Sequence, residues 1–74
     1  MATGTVKWYD PDKGFGFIAV DPDQDLPLDV TGDLFFHYTA LPGGWKPEGG
    51  RRVAFDIKDG NKGIQADRVG PEFL

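Results

Sequence analysis

Apolar and polar positions alternate along most of this chain, in short runs that a glycine or proline soon interrupts. Neighbouring side chains in a strand point to opposite faces, so such alternation marks strands with one buried face. No window keeps a helical apolar period long enough for a stable helix. The pattern predicts five short strands, at about 4–10, 14–20, 33–38, 51–58 and 63–69, filled with valine, threonine and aromatic residues. "DGNKG" at 59–63 predicts a hairpin turn, because Gly60 and Asn61 accept positive φ. "LPGGWKPEGG" at 41–50 reads as an irregular loop, and 19–33 as the connection between the second and third strands. The last residues, 70–74, read as a frayed tail, which leaves 1–69 as the folded unit. Five short strands in 74 residues point to an all-β fold, a small closed barrel without exposed edges.

Two runs bear on which side chains face inward. In "LFFHY", Leu34, Phe36 and Tyr38 share one phase, and Phe35 and His37 the other. Histidine is a poorer core residue than leucine or phenylalanine, so Leu34 and Phe36 are assigned inward and Phe35 and His37 outward. In "KGFGFI", Gly14, Gly16 and Ile18 share one face, and Phe15 and Phe17 the other. The crowded interior of a small barrel suits glycine where backbones approach closely, which favours displayed phenylalanines. The alternative is a phenylalanine core with glycines at bulges. On the first reading, adjacent strands show Phe15, Phe17, Phe35 and His37 on one patch, as binding surfaces do.

Composition narrows the chemistry. The chain has no cysteine and a single histidine, so disulfides and cysteine-based zinc sites are excluded, and no cofactor or metal is expected. His37 has no obvious nucleophile partner and no paired carboxylates sit on a displayed strand face, so an enzyme is not expected. The N-terminal segment lacks a basic start followed by an apolar run, and no apolar stretch has the length of a membrane helix. A cytoplasmic, monomeric protein is the expectation.

Flat aromatic faces beside lysine suit single-stranded nucleic acid. Unpaired bases stack on aromatic rings at roughly 1–3 kcal/mol each, and duplexes hide those faces. Lys7 and Lys13 flank the patch and are candidates for phosphate contacts.

"KGFGFI" matches the opening of a known RNA-binding motif, and "LFFHY" looks like its partner motif. With "GTVKWYD" at 4–10, "GWKPEGGRRVAFDI" and "DGNKGIQADRV", they resemble the bacterial cold-shock proteins to about Val69. The resemblance implies a five-stranded antiparallel barrel of the OB type that binds single-stranded RNA and DNA with low sequence preference. It also implies work as an RNA chaperone, with effects on transcription termination or translation. Carried over by position, Trp8, Phe15, Phe17, Phe35, His37, Tyr38 and Trp45 become stacking residues. Lys7, Lys13 and Lys62 meet the backbone, and Asp33 accepts a hydrogen bond from a base. Tyr9 either supports the sheet edge or touches the ligand, and support is the favoured reading.

Several residues resist this scheme. Strict alternation places Trp8 with apolar Val6 and opposite Lys7, so an outward Trp8 needs a bulge or strong twist. Trp45 also fits a loop anchor on the barrel rim. His37 and any one lysine also fit a solvated surface group. The main rival class is a protein-interaction module, for example an aromatic cage for methylated lysine.

Net charge is −4, against the basic footprint usual for nucleic-acid binding. The acids are concentrated, however. Asp21, Asp23, Asp25, Asp29 and Asp33 fall in the acidic connection between strands two and three; without them the chain has 8 basic and 7 acidic residues. Stacking rather than charge is therefore expected to supply much of the affinity. The connection is longer than in the resembled family and is expected to repel phosphate.

Overall fold

In the first strand, β1 (Ala2–Asp10), Ala2, Gly4 and Val6 are buried while Thr3 and Thr5 are half-exposed, which is the alternation of a strand with one face on a core. The computed structural model describes residues 1–22, 32–60 and 63–72. Its other strands are β2 (Phe15–Val20), β3 (Asp33–His37), β4 (Arg52–Gly60) and β5 (Gly63–Pro71). They close into a barrel in the order β1-β2-β3-β5-β4, with β4 returning to β1. Short 3-10 turns at Tyr38–Ala40 and Pro42–Gly44 occupy the stretch between β3 and β4, and Ala40 and Leu41 bury there against the barrel.

The expected antiparallel barrel holds at four of the five seams, and β3 and β5 close it in parallel. Geometry requires this. Strands that alternate in direction around a closed ring must be even in number, so a ring of five contains at least one parallel seam.

The interior is filled by Val6, Ile18, Leu34, Phe36, Val53, Phe55, Ala66 and Val69, with at most 4% of any of them exposed. Ala66 and Val69 are three apart yet both face inward. A register shift between Ala54 and Asp56 makes this possible, with Arg68 opposite it in the left-handed region at φ 50°.

Gly16 answers the question posed by "KGFGFI". It is buried, and a Cβ there would run into the Trp8 carbonyl oxygen and come within 2.9 Å of the Phe36 ring. The glycines and Ile18 therefore face in, and the phenylalanines face out.

The C-terminal boundary differs from the expected one. β5 continues through Gly70 to Pro71, and Glu72 is held by Arg52. The Glu72 N–H donates to the Arg52 carbonyl at 3.2 Å, and Arg52 Nε donates to Glu72 Oε1 at 2.9 Å. Pairing with β4 thus holds residues 70–72 of the segment that reads as a tail in sequence. The hairpin expected at 59–63 ends on the pair Gly60 and Gly63; Asn61 and Lys62 lie outside the described residues, as does 23–31 of the acidic connection.

Candidate nucleic-acid interface

Lys7 is the extra residue of a β-bulge. Val6 pairs with Ile18, but the next pair is Trp8 with Phe17, so two positions of β1 pass one of β2. The bulge reverses the alternation, which buries Val6 and turns Trp8 outward at 42% exposure. The phase conflict in the sequence is resolved there, and Trp8 does not join the core.

Pairing across the sheet then brings the rings together. Phe15 lies opposite His37, and Phe17 opposite Phe35. Trp8 stands 5.6 Å from Phe15 and 5.4 Å from Phe17, while Phe35 stands 5.8 Å from Phe15 and 5.9 Å from Phe17, centroid to centroid. β3 ends at His37, and the 3-10 turn carries Tyr38 out to 56% exposure, with its ring 4.4 Å from that of His37. Tyr38 leans over Gly14, where a Cβ would stand 2.8 Å from its ring; Gly14 also has φ 76°, so glycine is required twice over. Six of the expected stacking residues thus form one strip across β1, β2 and β3.

The turn before β2 positions Lys13. Asp10 accepts from the backbone N–H groups of Asp12 and Lys13 at 3.0 and 3.2 Å, and the Gly14 N–H donates to the Asp10 carbonyl at 2.7 Å. This Asx-type turn leaves the Lys13 side chain exposed at one end of the strip. At the other end, Lys7 Nζ donates to Asp33 Oδ2 at 2.8 Å. In this state the two groups assigned to phosphate and base satisfy each other. Lys62 lies outside the described residues.

Two aromatic residues stand apart from the strip. Tyr9 stacks on buried Phe36 at 5.6 Å and 17°, as a supporting residue would, and it also borders the rim cleft. Trp45 packs against the core from the loop, with the Arg51 guanidinium 5.8 Å from its ring centroid. This is the rim-anchor geometry. Even so, Trp45 borders the same cleft of about 310 Å³ as Tyr38, Lys13 and Lys46. Neither Lys46 nor Arg51 stands out in the sequence: Lys46 lies in a loop, which gives no alternation to orient a side chain, and Arg51 precedes the observed start of β4 at Arg52.

The acidic connection begins in a neutralised state. Arg52 Nη1 and Nη2 donate to the two Asp21 oxygens at 2.7 and 2.6 Å, and Thr3 Oγ1 adds a third bond at 2.8 Å. The Arg52 hydrogen bonds, and then that from Thr3, hold the Asp21 carboxyl well below the usual range, at about 2. Asp21 and Asp33 are therefore partnered acids, and the expectation that all five aspartates repel phosphate does not hold for these two.

The sequence matches the family profile described as "'Cold-shock' DNA-binding domain" over residues 2–71. It is 45% identical over 71 residues to a major cold shock protein of Micrococcus luteus, covering 93% of this chain and 96% of that protein. Against a cold shock-like protein CspD of Bacillus cereus the identity and both coverages are the same. Against the cold shock protein CspD of Bacillus subtilis the identity is 44%, with 93% and 96% covered.

Proposed function

We propose that this chain, which belongs to the cold-shock domain family, binds single-stranded RNA and DNA with low sequence preference, acts as an RNA chaperone and is not an enzyme. The observation that carries the reading is the continuous strip of Trp8, Phe17, Phe35, Phe15, His37 and Tyr38 on the outer face of three adjacent strands. Each ring offers a face to an unpaired base, and stacking tolerates any base. Lys7 and Lys13 stand at the strip's ends to meet phosphates, and Trp45 with Lys46 and Arg51 extends it along the rim cleft.

Occupied strand cannot pair, so hairpins melt by mass action while the protein is bound. With few lysines engaged, release is fast and the strand is handed on. Effects on transcription termination and translation follow from holding a transcript unpaired. An aromatic cage for methylated lysine is disfavoured by the ring spacing. Centroids 5.4–5.9 Å apart are in mutual contact, which leaves no hollow for an ammonium group between them.

Titration followed by tryptophan fluorescence tests the proposal, since Trp8 lies in the strip. A pyrimidine-rich single strand should quench the emission and bind at least about ten times more tightly than the same sequence as a duplex, whose base faces are hidden. Equal affinity for the two forms would exclude stacking as the mechanism.

A further inference from the structure

His37 is the one strip residue whose ring edge carries polar atoms on both sides, and one side is already engaged. Its Nδ1 lies 3.0 Å from Thr39 Oγ1 and accepts the Thr39 backbone N–H at 3.4 Å. The second bond has only one possible direction. A backbone N–H has no lone pair to offer, so this contact assigns the unprotonated nitrogen to Nδ1 and the ring proton to Nε2. The Thr39 hydroxyl, free to rotate, then also donates to Nδ1. The arrangement is built into the chain path: β3 ends at His37, which caps the 3-10 turn Tyr38–Ala40 with its own side chain and brings Thr39 back beneath the imidazole. Among the described residues Nε2 has no protein partner, and His37 lines the cleft that continues the strip past Phe35 towards Lys58 and Gln65.

We infer that Thr39 is a positioning residue for nucleic-acid binding: it fixes the His37 imidazole as the Nε2–H tautomer, so the strip presents a preset hydrogen-bond donor to an acceptor oxygen of the bound strand. This rests on the reading of His37 as a strand-binding residue. Phe15, Phe17 and Phe35 offer stacking alone. A donor of fixed direction beside them sets where along the strip an oxygen must fall, and so fixes the register of the bases on the rings. The backbone bond, at 3.4 Å, is long and weak, so the 3.0 Å hydroxyl bond does most of the holding. Without that hydroxyl the ring can turn over or exchange tautomers and present an acceptor where the strand also presents one.

The test combines a spectroscopic signature with a double-mutant cycle on the whole chain, using single-stranded oligothymidylate as the probe. Long-range proton–nitrogen correlation spectra at alkaline pH should show His37 of the free protein as the Nε2–H tautomer. Thr39→Val should shift it towards a mixture, and Thr39→Ser should restore it. Thr39→Val should weaken oligothymidylate binding about 2- to 10-fold, the worth of one hydrogen bond. Thr39→Ser should bind as wild type, and Thr39→Val should add nothing in a His37→Ala background. Thr39 is exposed, and melting curves identify any variant that loses the fold. An Nδ1–H tautomer in the wild type would overturn the inference, as would unchanged binding by a folded Thr39→Val or a loss that persists without His37. If His37→Ala binds normally while Phe35→Ala does not, the role of His37 falls and this inference with it, but the stacking strip stands. If the wild type binds no oligothymidylate, the functional reading itself fails before any substitution is made.

Discussion

Lys7 Nζ lies 2.8 Å from Asp33 Oδ2, an ion pair that reaches from β1 to β3 across the outer face of β2. Both side chains are about half-exposed, at 48% and 47%, so the pair is worth about 0–1 kcal/mol to folding. Its weight falls on binding. Lys7→Ala should leave the melting temperature nearly unchanged, weaken single-strand binding at low salt, and reduce the slope of log K against log salt by about 0.7. Asp33→Asn keeps an oxygen acceptor and releases Lys7, so it should bind as tightly as wild type or more tightly. Affinities measured across a salt series check both outcomes; an unchanged slope in Lys7→Ala would remove Lys7 from the phosphate contacts.

Gly16→Ala should destabilise the barrel by roughly 1–3 kcal/mol, the usual cost of overpacking. The added carbon has no free direction, since it meets the Trp8 carbonyl on one side and the Phe36 ring on the other. Urea unfolding measures the loss. A neutral substitution would mean that the glycine face of β2 is not the inner one.

The barrel and most of its outer aromatic strip were legible in the sequence because alternation carries them. Leu34 and Phe36 against Phe35 and His37 is a period-two pattern, and the observed inward and outward faces of β2 and β3 follow it. The pattern fails where the backbone itself departs from regular pairing. A bulge at Lys7 turns Trp8 outward, and no residue type there announces it. The bulge at Arg68 shifts β5 in the same way, and β5 runs two residues past its expected end, where Glu72 finds Arg52. That contact joins residues 20 apart in sequence, and the Arg52–Asp21 pair joins residues 31 apart. Such partners are fixed by the closed barrel rather than by any local signal. Thr39 lies in a turn where the chain doubles back, and no periodicity in the sequence puts its hydroxyl beside the imidazole.

The Arg52 cluster gives a pH prediction with a definite sign. Asp21 has its carboxyl lowered from the ordinary 3.8 to about 2 by Arg52 and Thr3, so it binds protons less readily folded than unfolded. Its contribution is therefore present above about pH 4 and is lost as pH falls through about 2. The side chain is 32% exposed, so screening by solvent keeps the effect small. Asp21→Asn should lower the melting temperature by a few degrees at pH 7 and by progressively less towards pH 2. Thermal melts across that range check it, and a difference independent of pH would assign the loss to something other than the charge.

Because Arg52 and Lys7 partner Asp21 and Asp33, the repulsion expected of the acidic connection narrows to Asp23, Asp25 and Asp29. Changing those three to Asn should tighten single-strand binding at low salt, and the gain should shrink once the screening length falls below about 8–10 Å. Adding Asp21→Asn should bring little more. Binding isotherms at several salt concentrations read this directly, and identical constants for the triple variant and wild type throughout would end any electrostatic role for the segment.

The central claim is that the outer rings bind unpaired bases and do not hold the fold together. It is tested most directly by measuring single-strand affinity and unfolding free energy side by side for Phe15→Ala and Phe35→Ala. Each should lose one stack, about 1–3 kcal/mol or about 5- to 150-fold in Kd. Each should lose far less stability than the roughly 3–5 kcal/mol expected for removing a core ring such as Phe36. Variants that unfold, or that stay folded and bind the strand as tightly as wild type, would contradict it.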